Sequence, residues 1–488
     1  MTAVMTGTGI ALSFQGRFKF GIDQWAYVPF QVPAGVQRIE VSTSHDQFSL
    51  LGIGRNVLDL GIFGPAGYEL GNAAGFRGWS GGARAGFTLS AINATPGYLA
   101  GPIDPGQWTL ALGPVVINPL GMDWQAQIVL TRGVQPSLRD VPAARPAVRR
   151  RRQAGWYRGD LHTHTVHSDG RRRIEEMAEA ATSADLDFIV STDHNTSSAN
   201  RAWAASTGGE LEVIAGEQVT TRHGHWLAVG LPPGGWVDWR YTPRDGVFAG
   251  YAAQVGADGG LVVAAHPSVP LRGCAWEFGY HDVDAMEIWN GLWNVDDELS
   301  LRIWHQLLRQ GRRIAAVGGS DSHVQDQPVG RPQTVVYAQE LSTSGLIDGL
   351  RRGRCYLTES SAVTLVLSAS RAGGMATAGP GETLTAPSEA DVTVTAEVSG
   401  ARDCSIALVT DGGCVGRVKT DACGRGTLRG PPPLARRASL ESQCAAARGF
   451  RRWWGCPIRC GWTRRTRVRT AAFPPTARAP LRPVWPVL

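Results

Sequence analysis

The chain has 488 residues, 43% of them hydrophobic and 18% charged, with 61 glycines and 29 prolines. This is enough material for two or three domains with buried cores, and it excludes collagen-like and wholly disordered classes. The net charge of +6 is misleading: from Pro431 onward there are twelve arginines against one acid, Glu441, so this stretch carries +11 and the remainder (6 − 11) −5. The body is mildly acidic, which speaks against nucleic acid as a partner.

In chain order, the N-terminus MTAVMTGTGIALSFQGRF has neither a basic leader nor an apolar run of signal-peptide length. No apolar run approaches the roughly 20 residues that span a bilayer. The expectation is a cytoplasmic protein without membrane association. Residues 1–133 carry short strand-like runs at FKFGI, QRIEVST, LDLGIFG, AGFTLSAI, QWTLALG and WQAQIVLT, separated by turn signals such as VPAGV and IDPGQW. That spacing predicts an antiparallel β-sandwich. His45 stands alone there and reads as a structural or surface residue. Residues 134–155 form a Pro/Arg-rich linker containing Arg149–Arg152, best read as solvated.

From Trp156 to about residue 360, strands and helices alternate. The strand candidates are DLHTHT, DFIVSTD, LEVIAGEQV, WLAVG, LVVAAHP, AMEIWN, RIAAVGGSD and TVVYA. RRRIEEMAEAATSADL and DDELSLRIWHQLLRQG have helical apolar faces, with Ile174, Met177, Ala178 and Ala181 on one stripe. Repeated β-α units argue for a parallel sheet or barrel. Residues 361–430 return to β-runs and predict a small appendage. Residues 431–488 have no period, no lysine, and an irregular Trp/Cys/Arg/Pro mixture. They read as an irregular tail, the product of out-of-frame translation. The eight cysteines have no zinc-ribbon spacing.

Ten of the eleven histidines lie between residues 162 and 323, where an even spread would give about four. His162 and His164 are two apart on a strand and share a face; Asp321 and His323 repeat that spacing. His194, Glu217, His225 and His266 fall at or near other strand ends, where a barrel builds its site. Imidazole and carboxylate without thiolate suit Zn, Mn or Fe. Asp160 shares the strand face of His162, which makes it a candidate acceptor for an imidazole. Glu287 and Asn290 could line the pocket. His281 and His305 read as structural.

WYRGDLHTHTVHSDG, followed in order by DFIVSTDHN, GEQVTT–GH, AAHP and GGSDSH, resembles the polymerase-and-histidinol-phosphatase (PHP) superfamily. The form with WYRGDLHxH behind a β-domain is most similar to CehA/McbA-like metallohydrolases. The resemblance covers roughly residues 156–360. It implies a distorted (β/α)7 barrel with two or three divalent ions and a phosphoesterase using a metal-bridging hydroxide. It also implies roles: His162, His164 and Asp321 at a first ion, Glu217 bridging to a second, and His225 and His266 at that second ion. His194, His323 and Asp169 would hold a third. Asp193 is a candidate proton carrier beside Glu217 and Asp321, and His167, His223 and Arg331 are candidate substrate contacts. The substrate would be a small phosphoester. Ester or carbamate hydrolysis at the same metals is the alternative, favoured by Trp226, Trp289 and Trp293 if they face the pocket. A non-catalytic binding protein on the same scaffold is the alternative of another class.

Overall fold

The structure is a computed structural model. It describes residues 2–6, 9–47, 55–135, 153–206, 211–371, 376–385 and 392–430. The Arg149–Arg152 run and the tail from residue 431 lie outside the described residues.

Two antiparallel sheets form the N-terminal part. One has the order β1 (Thr2–Thr6), β2 (Gly9–Phe18), β9 (Met122–Arg132), β4 (Val36–His45), β7 (Gly86–Ser90). The other is β3 (Ala26–Val32), β8 (Gly106–Val116), β5 (Val57–Phe63), β6 (Phe76–Trp79). Alternation decides the faces: in β9 Met122, Trp124, Ala126, Ile128 and Leu130 are buried, and most of the residues between them are exposed. These side chains meet Leu58, Leu60, Trp108 and Leu110 of the facing sheet in one core, the packing of a sandwich. The expected strand FKFGI is instead a strand end followed by a bend, because Gly21 takes φ +130 and Gln24 Nε2 ties back to the Lys19 and Gly21 carbonyls.

The third sheet has nine strands and is barrel-like and nearly closed. Its members are β10 (Gly155–Thr163), β11 (Phe188–Ser191), β12 (Glu212–Thr221), β13 (Gly224–Val229), β14 (Leu261–Ala265), β15 (Ala285–Asn290), β16 (Ala315–Gly319), β17 (Gln333–Ala338) and β18 (Cys355–Thr358). Their spatial order is β16-β15-β14-β13-β12-β11-β10-β17-β18. The two sides meet where Asp321 N donates to His162 O and Thr334 Oγ1 donates to Gly318 O.

Five α-helices are described: α1 (Ile174–Ser183), α2 (Ser198–Ser206), α3 (Phe248–Ala257), α4 (Val295–Arg309) and α5 (Thr343–Arg351). The alternation is not uniform. β10–β11–β12 and β14–β15–β16 run parallel, whereas β13 is antiparallel to both its neighbours and joined to β12 by the tight turn at Thr221–Gly224. β17 returns antiparallel to β10.

The sandwich and the barrel-like sheet share a core, in which Phe63, Phe76 and Trp79 pack with Trp226, Trp239 and Val237. Residues 364–430 add a four-stranded and a two-stranded sheet around Leu365, Val394, Ala396 and Ile406. No described helix is long and apolar enough to cross a membrane.

Candidate metal centre

The strand ends of the nine-stranded sheet carry a buried cluster of imidazoles and carboxylates. His162 ends β10 with its ring held from behind: Nδ1 lies 3.1 Å from Glu287 Oε1 on β15. His164 follows, and its Nε2 lies 3.0 Å from Asp321 Oδ1, which is also 3.3 Å from His162 Nε2. Asp321 and His323 come from the turn after β16, which hydrogen-bonds to the end of β10 through Asp321 N to His162 O and His164 N to Ser322 O. Asp169 arrives on the loop after β10, 3.5 Å from His194 Nε2 and 3.3 Å from His323 Nε2. His194 follows β11, and its Nδ1 is fixed on Thr220 Oγ1 at 2.5 Å. His225 on β13 and His266 at the end of β14 complete the group, with ring centres 5.0 Å apart.

Donor atoms of His164, Asp169, His194 and His323 lie within 4.8 Å of one another, as do those of His162, His266 and Asp321. Backbone strain marks the same place: His266 (φ +27) and Asp321 (φ +48) adopt conformations that L residues rarely take.

The residues fit divalent ions on a test internal to the structure. Both ring nitrogens of His164, Asp169 Oδ1, His266 Nδ1, Asp321 Oδ1 and His323 Nε2 are buried without a hydrogen-bond partner among the described residues. The approach of His164 Nε2 to Asp321 does not have hydrogen-bond geometry. Leaving so many polar atoms unsatisfied is costly, and a cation coordinated by them removes the cost.

Electrostatics point the same way. Burial, then the neighbouring charges of His323 and His194, hold His164 well below the usual imidazole range. Burial and the His266 charge do the same to His225. His194 and His266 are also lowered, burial first. These rings keep the lone pairs that metal ligation needs. Burial would lower His162 too, but the Asp321 and Glu287 carboxylates outweigh it and push it up to about 10. His323 rises to about 9 in the same way, against burial, through Asp169 and Asp321. Asp169 and Asp321 stay ionised despite burial because imidazoles surround them.

Several expected residues are not brought to this cluster. Glu217 is turned away from it. In the β12–β13 hairpin Thr220 pairs with His225 and Val219 with Trp226, so Glu217 shares the face of Val219 and Trp226, which lies in the hydrophobic core. Its Oε2 accepts from Val237 N at 3.0 Å, and burial, with Asp238 adding, pushes it well above the carboxylate range. Gln218 points into the site instead. The tight turn after Thr221 already implies this parity, because it fixes which residues of the two strands share a face with His225.

Asp193 is committed to the loop after β10, accepting from Thr165 N, Thr165 Oγ1 and Ser168 Oγ at 2.7–2.8 Å. It shapes the segment that carries Asp169. Asp160 accepts backbone N–H groups of His162, Ser320 and Gly330 and holds no imidazole. His167 bonds to Ser198 Oγ at 2.8 Å, and His223 pairs with Glu277 and Asp23. Arg331 is exposed beside Gly330, whose neighbours are Ala184 and Leu186 at the end of α1. Trp226 and Trp289 are core residues, and Trp293 packs edge-on against Trp289. Exposed His281 pairs with Asp282, and His305 reaches Thr410 O.

Glu287 and Asn290 do line the site. Glu287 also accepts His266 N at 2.8 Å, and Asn290 Nδ2 donates to both Glu287 and Asp321.

The sandwich braces the loops that carry the cluster. Thr196 Oγ1 donates to Gly97 O, Gly97 N donates to Ser198 Oγ, and Arg84 donates to Val166 O.

No family model and no curated protein matches the chain. Among solved structures it is similar to a two-domain protein from Bacteroides vulgatus containing a predicted PHP-like metal-dependent phosphoesterase, at 16% identity, 61% of this chain, 93% of that one and TM-score 0.35. A protein from Bifidobacterium adolescentis described as a candidate metal-dependent phosphoesterase matches 35% of this chain and 90% of its own at 21% identity and TM-score 0.27. An amidohydrolase from Chromobacterium violaceum, with sulfate bound, matches 35% of this chain and 89% of its own at 17% identity and TM-score 0.27.

Proposed function

We propose that the protein is a metal-dependent hydrolase of the PHP superfamily, in its CehA/McbA-like branch, acting on a small phosphoester. The observation that carries this reading is the buried set of unsatisfied imidazole and carboxylate atoms converging from separate strand ends. The ordered motifs from Trp156 to His323 support it. In this reading the nine-stranded sheet is the PHP-type barrel, spanning about residues 156–360, between a sandwich domain (1–133) and a small β-appendage (361–430).

His164, Asp169, His194 and His323 form one ligand set and His162, His266 and Asp321 another, each suited to Zn, Mn or Fe. Divalent ions bound there supply Lewis acidity toward a water and an ester oxygen. The chain supplies the rest. Asp321 lies against imidazoles of both sets and is the carboxylate placed to be shared between them. Glu287 fixes the tautomer and tilt of His162, Thr220 does so for His194, and Asn290 orients both Glu287 and Asp321.

Trp226 and Trp289 are buried in the core, which leaves the partly buried Trp293 as the one of the three tryptophans that still favours the aryl-ester or carbamate alternative. The test is turnover of an aryl phosphate monoester, an aryl phosphodiester, an aryl carboxylic ester and an aryl carbamate by metal-loaded protein, with Asp321→Asn as control. Phosphoester cleavage lost in the variant is expected. Cleavage confined to the ester or carbamate would move the substrate class, and silence on all four would refute the hydrolase reading.

A further inference from the structure

Gln218 occupies the middle of the cluster. Its side chain is buried, with Oε1 2.9 Å from His162 Nε2 and Nε2 3.1 Å from both His225 Nδ1 and His266 Nε2. Its backbone is pinned on both sides, Gln218 N to Asp193 O and Asn195 N to Gln218 O. An amide nitrogen only donates, so the ring nitrogens facing it are lone-pair nitrogens. One amide hydrogen therefore caps the His225 Nδ1 lone pair that a cation beside that ring would need.

Turning the amide over would offer Oε1 to such a cation, but without charge. The remaining carboxylates are already placed: Asp169 lies in one ligand set, Asp321 in the other, and Glu287 is committed to His162 Nδ1, His266 N and Asn290 Nδ2. His225 belongs to neither set. A cation beside it would meet imidazoles and a neutral amide, with burial opposing any uncompensated charge.

We infer that Gln218 sets the number of ions the site holds, limiting tight binding to the two carboxylate-bearing sets and leaving the position beside His225 without a tightly held ion. This rests on the metal-site reading above.

The test is the metal-to-protein ratio, by elemental mass spectrometry, of protein loaded with Zn2+ and then desalted. The wild type is expected to retain about two ions per chain, one for each ligand set. Gln218→Glu, which adds a carboxylate facing His225 and His266, is expected to retain one more. Gln218→Ala removes the cap without adding charge; it is expected to retain the wild-type ratio and to show an additional weak binding step by calorimetry. That variant keeps the test decisive if Gln218→Glu fails to fold, which metal-free circular dichroism reports. A third tightly held ion in the wild type would overturn the inference. So would no extra ion in folded Gln218→Glu, or no weak step in Gln218→Ala. A wild type that retains no ion at all would overturn the metal-site reading itself, and this inference with it.

Discussion

Replacing Glu287 by glutamine changes one atom type and one charge behind the cluster, and its consequences can be worked out from the contacts. Glu287 is 1% exposed and serves three donors: His162 Nδ1 at 3.1 and 3.2 Å, His266 N at 2.8 Å and Asn290 Nδ2 at 3.1 Å. A glutamine has one oxygen and an NH2 group, so at least one of these donors is left facing another N–H. A buried donor without a partner costs about 1–3 kcal/mol, and the metal-free variant should unfold at a correspondingly lower temperature. Loss of a carboxylate behind a ligating imidazole typically lowers metal affinity about 10–100-fold.

A second effect opposes the first. Glu287 helps raise His162 to about 10, so without it the proton competes less for that ring at neutral pH. The affinity deficit should therefore be smaller near pH 7 and grow as the pH approaches about 10, where the wild-type ring also loses its proton. Competition with a chromogenic zinc chelator across that range measures it. Affinity within about twofold of wild type at every pH would refute the assigned role of Glu287 behind His162.

Metal uptake itself should release protons. His162 and His323, raised to about 10 and about 9, are protonated at pH 7 without metal, so apparent affinity should climb with pH up to those values; calorimetry in buffers of different ionisation enthalpy counts the protons. In the metal-free protein the same ion pairs contribute stability that is complete below the unfolded imidazole value of about 6.5 and is lost as pH rises through about 9 to 10. Denaturant midpoints of metal-free protein between pH 6 and pH 10, taken as roughly the range those values set, should fall. Gly97→Ala should destabilise the protein by about 1–3 kcal/mol, since Gly97 has φ +99 and an added Cβ would lie 2.6 Å from Trp79 O and 2.8 Å from His167 O; thermal unfolding reads the shift. Glu217→Gln should leave the bound metal ratio unchanged, because that carboxyl faces the core and not the cluster.

How far the site could be read in advance depended on the local geometry around each residue. His162 and His164 follow from strand alternation, and His194, His266, Asp321 and His323 from their position at strand ends, because short apolar runs mark those ends plainly. Glu217 and Gln218 differ by one residue, and that single step inverts the face; only the pairing of β12 with β13 through the turn at Thr221–Gly224 decides between them. Asp193 and Asp160 looked like chemistry because carboxylates next to ligands often are. Apart from the His162 N–H two residues from Asp160, their backbone and hydroxyl partners lie on segments distant in sequence, which no local pattern encodes. In the fold, most strand runs are where periodicity puts them. The antiparallel excursion of β13 is not, since an apolar strand buried on both faces has the same pattern in either direction. Asn290 was legible as a pocket residue, whereas its bond to Asp321 depends on closure of the sheet.

The most direct test of the central claim is anomalous scattering from crystals of the protein grown with Zn2+ or Mn2+. Anomalous peaks are expected within the His164–Asp169–His194–His323 set and within the His162–His266–Asp321 set. Crystals holding the metal only at surface positions, with these two sets empty, would contradict it.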